Sequence, residues 1–363
     1  MPDLESSRPT PNSGNSPGAH HGYDPNQPRV PSGHSDGGQW TKTPGGGAPA
    51  VARREAVVDH SKQESWGSYV DGYRTDGSLA ERRVFNRDGS RIDSEYKRPS
   101  SPEDWDERHT VVLSDGTKVT FENSGNVQRT YDGEGHLLSA TEWTEDGPRP
   151  LPTGQLAFAG PAAPFVVPLG TAAARALSAA AVSLFTWLSS GKDPNRAAVL
   201  AFKARKYEKR EARGQHELSW VGYVKRDELK GVCEKLDDVQ GYTDKAVKKV
   251  LDVGDHNGPA AFGTKVHKLI ADTIKGLGKK DFQAEVSRIK SKEVDVRYGA
   301  KGSIRIDALE NHSEISTVCV YDPKTGERGL SLPRTIELAE AALEKFKYEP
   351  NHIIVIEVRP GQK

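Results

Sequence analysis

Three charged side chains near the C-terminus, two acidic and one basic, have the spacing of a metal-dependent hydrolytic site. Asp307 lies near the end of a β-like run, Ser303–Leu309, and Asp322 directly follows a second run, Ile315–Tyr321. Residues two apart on a strand emerge on the same face, so Asp322 and Lys324 are expected to point together. If the two strands are neighbours, about 4.8 Å apart, the two carboxylates can share a cation.

Phosphodiester hydrolysis needs an activated water and stabilisation of the charge that develops on the phosphoryl oxygens. A divalent cation meets both needs, and Mg²⁺ (or Mn²⁺) prefers carboxylate oxygens. We expect Asp307, Asp322 and Glu285 to be the metal ligands and also catalytic residues. Lys324 is the fourth catalytic candidate, because an ammonium group can position or deprotonate the attacking water. The alternative is a surface ion cluster on a sheet.

Three further residues are candidates for substrate binding: Arg305, His267 and Arg334. Arg305 shares a strand face with Asp307, so it could bind phosphate or only pair with that carboxylate. His267 is one position from the apolar face of its helix, and the other interpretation is a half-buried structural histidine. For Glu285, the alternative is a surface glutamate on an amphipathic strand.

The elements that must position these residues follow from apolar periodicity. A helical pattern starts at Gly263 with Thr264 as its N-cap, and glycines end it. The strand Phe282–Ile289 follows, then the two runs above, then the helix Leu332–Lys347 and the dense β-branched strand His352–Val358. The predicted order is therefore αβββαβ.

This order, with Asp at the second strand and Asp-x-Lys at the third, resembles the PD-(D/E)XK nuclease superfamily. The strings Gly263-Thr-Lys-Val-His267, Tyr298-Gly-x-x-Gly-Ser-x-Arg-x-Asp307 and Tyr321-Asp-x-Lys-Thr-Gly326 are similar to its toxin domains in bacterial polymorphic effectors. The resemblance covers about 263–360. It implies an α/β fold class with a C-terminal restriction-endonuclease-like αβββαβ core, preceded by helices, a β-hairpin region and a disordered N-terminal arm.

The rest of the chain divides by composition. Residues 1–62 are rich in Pro, Gly and Ser, which predicts a disordered arm, and 63–150 carry repeated Asp-Gly pairs, which predict a meander of β-hairpins. An apolar helical segment is predicted for 151–192, and its stretch 169–188 either packs against protein or contacts a membrane transiently. A helical module is predicted for 193–262, with a basic helix at Arg196–Arg213, before the nuclease-like domain at 263–363.

The charge distribution, the cysteines and the N-terminal sequence each add an observation. The net charge of the 363 residues is zero, but the acidic excess falls in the first half and the basic excess in the half that carries the candidate site. The two cysteines, Cys233 and Cys319, are far apart in the sequence, which suggests neither a disulfide framework nor a zinc site. The N-terminus lacks a signal-peptide pattern, so export by a non-Sec route is expected.

The resemblance implies a function and partners. The expected activity is that of a Mg²⁺-dependent endonuclease toxin, secreted from a bacterium, that cuts DNA in the cytoplasm of a competitor cell. Its partners would be nucleic acid, a cognate immunity protein and the secretion machinery. Two alternatives stay open: an RNase toxin of the same fold that cuts tRNA, and a catalytically inactive binding or adhesive protein whose hairpin region is the working part.

Overall fold

The computed structural model of the chain contains two β-sheets joined by a buried helix. It describes residues 51–60, 64–99, 101–152, 172–191, 193, 195–203, 217–254, 258–289, 303–326, 329–330, 332–345 and 350–361. Most of the predicted arm, 1–50, lies outside these ranges. Residues 53–58 of that arm form the first strand.

The first sheet has nine antiparallel strands in sequence order. They are β1 (Arg53–Val58), β2 (Trp66–Tyr73), β3 (Leu79–Asn86), β4 (Arg91–Tyr96), β5 (Glu107–Val112), β6 (Lys118–Ser124), β7 (Val127–Tyr131), β8 (Leu137–Thr144) and β9 (Gly147–Pro150). The predicted Asp-Gly turns explain the meander: Gly77, Gly89 and Gly116 all have positive φ, which tight hairpin turns require. In the β7–β8 turn the positive φ falls on Gly135 instead of the predicted Gly133.

The second sheet has six strands in the order β11-β10-β15-β14-β13-β12, and one pair, β14 with β15, is parallel. Its strands are β10 (Arg196–Lys203), β11 (Glu217–Lys225), β12 (Phe282–Ile289), β13 (Ser303–His312), β14 (Thr317–Pro323) and β15 (His352–Val358). The helices are α1 (Ala172–Ser190), α2 (Arg226–Lys230), α3 (Leu236–Val253), α4 (Gly258–Gly276) and α5 (Leu332–Lys345).

Two apolar cores cover the two faces of the six-stranded sheet. The first core joins α1 and α5 to this sheet and also takes in side chains of the nine-stranded sheet, such as Val84 and Phe121. The second core joins α3 and α4 to the opposite face. Phe185 of α1 is fully buried in the first core. The two sheets therefore share one hydrophobic interior with α1 between them.

The predicted fold class is wrong. The chain is mostly β, and its C-terminal elements do not form the predicted separate αβββαβ core. The reason is tertiary: β10 pairs with β15, and β11 pairs with β10, so strands from outside the predicted domain extend the same sheet. The first core then continues from that sheet into the nine-stranded one.

Some local predictions are wrong and others are confirmed. In one of them, charged residues concealed the apolar pattern of a buried strand. The predicted basic helix at Arg196–Arg213 is wrong in its first part, because Arg196–Lys203 forms β10, whose alanines, Val199 and Leu200 are buried. Residues 204–213 lie outside the described ranges. Thr264 is not an N-cap, since α4 begins at Gly258 and the Thr264 hydroxyl donates to the Ala260 carbonyl. The strand predictions at Phe282–Ile289 and His352–Val358 are confirmed.

The helix α1 corresponds to the apolar stretch predicted at 169–188. The side chains of Leu184, Phe185 and Leu188 are buried in the first core, whereas Arg175 near its start is exposed. None of the described helices combines the length and the hydropathy needed to cross a bilayer. In this structure α1 therefore packs against protein, which is the first of the two interpretations given above.

The two cysteines form a disulfide, which corrects the sequence expectation. Cys233 and Cys319 have Cα atoms 5.8 Å apart and are both fully buried. The bond connects the segment before α3 to β14, three residues before Asp322. Sequence spacing could not show this pairing, because 86 residues separate the two positions and only the fold brings them together.

We expect removal of this disulfide to destabilise the protein strongly. In the chain-entropy model, a crosslink that closes a loop of 86 residues contributes about 4–5 kcal/mol by restricting the unfolded chain. The Cys233→Ala/Cys319→Ala double variant should therefore unfold at a clearly lower urea concentration than the oxidised protein. Addition of a thiol reductant during unfolding should shift the parent protein and leave the variant unchanged; equal midpoints for both proteins without reductant would contradict the expectation.

Candidate functional site

Asp307 is a buried carboxylate on β13 with two basic neighbours. Its Oδ2 lies 3.1 Å from Nδ1 of His267 on α4, and its Oδ1 accepts a hydrogen bond of 3.0 Å from Nε of Arg305. Burial alone raises the pKa of Asp307, but His267, Arg305 and Lys324 together outweigh burial and lower it. Asp307 is therefore held in its ionised form.

Asp322 is the most deeply buried acid of the site, with about 1% of its surface exposed. Nζ of Lys324 lies 2.6 Å from its Oδ2, while its Oδ1 has no hydrogen-bond partner among the described residues. Burial raises the pKa of Asp322, the charge of Asp307 raises it further, and Lys324 and Arg334 only partly compensate. An ionised Asp322 is therefore costly in this protein without an additional positive charge.

The sheet register places Asp307 of β13 next to Asp322 of β14. Ala308 of β13 pairs with Tyr321 of β14, so one further step along the ladder places Asp307 beside Asp322. The backbone N–H of Lys324 donates to the Val358 carbonyl of β15 at 2.8 Å, which keeps the chain beside the sheet after Pro323. Asp322 and Lys324 thus lie at and just beyond the end of β14, whereas Asp307 lies in the middle of β13; these three residues are called the trio below.

A break in strand alternation lies at this position. Ile306 packs in the first core but Ala308 packs in the second core, although residues two apart normally share a face. The same change occurs between Ala284 and Val286 on β12, where Glu285 has a φ of 51°. Asp307 and Glu285 are thus the two residues at which the faces exchange. Irregular strand positions of this kind re-aim side chains and are frequent beside active sites.

Glu285 lies near Asp307 but faces a different partner. The β12–β13 register on both sides of it places Glu285 opposite Asp307. Its carboxylate forms an ion pair with Lys275 of α4. Glu285 therefore lies next to the pair Asp307 and Asp322, but its own negative charge is already balanced by Lys275.

The three predicted substrate-binding residues surround the same carboxylates. His267 and Arg305 contact Asp307 directly. Arg334 of α5 donates to the backbone carbonyl of Arg305, and its charge lowers the pKa of Asp322. All seven predicted site residues therefore lie on or beside β12, β13 and β14, with Glu285 and Asp307 in the middle of their strands.

The donor set suits a hard divalent cation. Asp307 and Asp322 offer carboxylate oxygens, and their mutual repulsion together with the orphaned Oδ1 of Asp322 is what a bound cation would relieve. Asp307 and Asp322 do not form a group of three or more such ligands with a further described acidic or histidine residue, however. Among the described residues, the group whose ligand atoms lie within 4.8 Å of one another is Asp132, Glu134 and His136.

That second group is a feature of an exposed turn. The Asp132 carboxylate accepts hydrogen bonds from the backbone N–H groups of Glu134 and His136 between β7 and β8. These bonds shape the hairpin turn. The turn therefore explains the cluster without a metal ion.

One acidic residue of the site region was missed from the sequence. Glu357 of β15 pairs in register with Asp322, and its side chain is fully buried. Its two oxygens accept hydrogen bonds from the Leu330 backbone N–H and from Nε of Arg359. A single glutamate inside the apolar run Ile353–Val358 was the available signal. Glu357 fixes the loop before α5 to the end of β15.

Comparison with known proteins gives no neighbour for this chain: no family model, no curated protein and no solved structure matches it. Its site must be interpreted from its own geometry.

The raised pKa of Asp322 predicts a pH-dependent affinity for divalent cations. A protonated carboxyl group is a poor ligand, and Asp322 takes up its proton at a higher pH than an ordinary aspartate. We therefore expect Mg²⁺ affinity, measured by titration calorimetry, to fall as the pH is lowered while still above the usual aspartate range.

The same shift has the opposite effect on stability. The neutral form of Asp322 is favoured in the folded state, so the metal-free protein gains stability relative to Asp322→Asn as the pH falls through the raised pKa. A stability difference that is constant between neutral and acidic pH would contradict this assignment.

Proposed function

We propose that this chain is a metal-dependent nuclease that hydrolyses phosphodiester bonds. The observation that supports this proposal most directly is the pair of buried, mutually repelling carboxylates of Asp307 and Asp322, with the Lys324 ammonium 2.6 Å from the second. An ionised Asp322 is costly to bury near the ionised Asp307, and a cation shared by the two carboxylates would lower that cost. An ammonium group next to a metal-binding acid can orient a water for attack on a phosphodiester.

Each residue has a role in this proposal. A bound Mg²⁺ or Mn²⁺ supplies Lewis-acid activation of a water and of the phosphoryl oxygens. Asp307 and Asp322 hold the cation, and His267 and Arg305 keep the Asp307 side chain in place. Lys324 orients the attacking water and offsets charge on the phosphate. Glu285 lies opposite Asp307 and is the third candidate ligand, and Lys275 balances its charge.

The biological setting is proposed from the resemblance of the sequence motifs alone. Asp307 and the Asp322-x-Lys324 motif match the active-site pattern of PD-(D/E)XK toxin domains. The chain would then be a bacterial toxin that is exported by a non-Sec route, acts on nucleic acid in the cytoplasm of a competitor, and is held inactive in its producer by an immunity protein. DNA is the proposed substrate.

A cleavage assay tests the activity. Purified full-length protein is incubated with supercoiled plasmid and, separately, with total RNA, with Mg²⁺, with Mn²⁺ or with EDTA. We expect cation-dependent loss of supercoiled plasmid and no cleavage in EDTA. Cleavage of RNA alone would replace DNA with RNA as the substrate, and intact plasmid and RNA under every condition would refute the nuclease proposal.

A further inference from the structure

A cavity of about 1000 Å³ opens at the end of the six-stranded sheet, beside the candidate site. Strands β10, β11 and β15 form its floor, and the end of α1 and the start of α3 form two of its walls. Its volume is at the upper end of the range for small-molecule sites. None of the seven predicted site residues lines it.

The cavity and the candidate site lie on neighbouring strands. Glu357 and Val358 of β15 line the cavity, and in the parallel register they lie next to Asp322 and Pro323 of β14. Neighbouring strands are about 4.8 Å apart. If the scissile phosphate of a nucleic-acid strand lies at Asp322, the neighbouring nucleotide of that strand is therefore close enough to enter this cavity.

A flat, charged platform faces the cavity. The guanidinium of Arg196 lies 4.4 Å from the centre of the Tyr223 ring, and Nε of Arg196 bonds Asp193 at 2.7 Å. The Tyr223 hydroxyl donates to the Leu188 carbonyl at 2.8 Å, so both members of the stack are fixed. About 41% of the Arg196 side chain is exposed. Guanidinium planes of this kind are surfaces on which unpaired nucleic-acid bases stack.

The charges of the cavity are balanced, which separates it from a groove for duplex DNA. Asp237 pairs with Arg226 and with Lys230, each at 3.1 Å. Gln240 bonds the Arg359 carbonyl and Asp244, and adds polar edges to the wall. A duplex groove follows phosphates with unpaired cations. A balanced cavity with a stacking plane suits one polar, aromatic group instead.

We propose that this cavity takes one unpaired nucleotide of the substrate, with its base stacked on the Arg196 guanidinium. The inference rests on the proposed nuclease function and makes it more specific. The substrate strand is single-stranded or locally unpaired where it passes from Asp322 across the end of β15.

Binding is tested without cleavage, with the Asp322→Asn protein as the parent. Fluorescein-labelled single strands of DNA and of RNA, and the DNA duplex of the same sequence, are titrated by fluorescence anisotropy at fixed salt. We expect the preferred single strand to bind about tenfold or more tightly than the duplex. Equal or tighter duplex binding would overturn the inference.

A matched pair of substitutions tests the stacking. Arg196→Lys keeps the charge but removes the guanidinium plane, and we expect it to weaken single-strand binding by about tenfold, as for the loss of one stacked base. Arg53→Lys is the control, because Arg53 also stacks on a tyrosine, 4.8 Å from the Tyr73 ring, but on the outer strand of the other sheet. Equal effects of the two substitutions would refute the role of Arg196.

A second measurement guards against a misfolded Arg196→Lys protein. An oligonucleotide that carries 2-aminopurine should lose fluorescence on binding to the parent protein, because stacking quenches this base; unchanged fluorescence at saturation would overturn the inference. The failure of the two proposals is distinguishable. If the protein cleaves nothing but binds single strands in a way that depends on Arg196, only the nuclease proposal is refuted. If it cleaves but shows no preference for single strands, only the cavity proposal is refuted.

Discussion

Replacement of Asp322 by asparagine should reduce nuclease activity by about a thousandfold without lowering stability. The substitution removes a carboxylate that the proposed cation requires, and metal activation contributes several kcal/mol to such reactions, with each 1.36 kcal/mol equal to a factor of ten. Because burial and Asp307 already make the ionised Asp322 unfavourable, the neutral amide should unfold at an equal or higher temperature. The measurements are the plasmid-cleavage rate in Mg²⁺ and the thermal midpoint.

A second Lys–Asp pair provides the control for this substitution. Lys248 contacts Asp252 at 2.9 Å on the exposed surface of α3, outside the site and the cavity. The Asp252→Asn protein should cleave like the parent, since an exposed pair contributes little. If the Asp322→Asn protein is less stable than the parent but cleaves plasmid at the same rate, the trio is a structural ion cluster and not a catalytic site.

Removal of the first 192 residues should prevent the C-terminal part from folding. The first core contains Phe121 of β6, Phe185 of α1 and Leu200 of β10 in one cluster, so a fragment 193–363 lacks two of these three layers. Truncation of one buried phenylalanine costs about 3–5 kcal/mol, against about 5–15 kcal/mol for the whole stability of a typical domain. Gln128 of β7 also bonds both backbone groups of Val221 in β11.

A fragment that keeps both sheets is the appropriate comparison. Residues 51–363 contain every described element, and we expect this fragment to unfold cooperatively and to retain the activity of the full chain. The fragment 193–363 should give a broad transition and exposed apolar surface by dye binding. If the fragment 193–363 unfolds as sharply as the fragment 51–363, the nine-stranded sheet and α1 are dispensable for folding.

The sequence indicates the charged residues of the candidate site more directly than it indicates the fold. Asp307, Asp322 and Lys324 follow short apolar runs, and a charge at the end of such a run is visible in the sequence. The engagement of Glu285 by Lys275 was not visible, since it depends on α4 crossing above an irregular β12. Glu357 was missed because its position beside Asp322 comes from a parallel pairing between strands that are distant in sequence.

The basic helix at Arg196–Arg213 was predicted wrongly over its first part because charge dominated the local pattern. Arg196–Lys203 forms the strand β10 instead. The apolar residues of β10 have buried positions on both faces, in the first and second cores. A strand buried on both faces loses the alternation that would identify it.

The sequence by itself determined the local elements whose signals are short-range. These are the Gly-containing hairpin turns of the nine-stranded sheet, the apolar strand His352–Val358 and the acidic and basic residues of the site. The tertiary structure alone decided the pairing of β10 with β15, the Cys233–Cys319 bond and the core that α1 shares between both sheets. The physical reason is that turn and strand preferences depend on neighbouring residues, whereas pairing and burial depend on contacts between segments that are far apart in the chain.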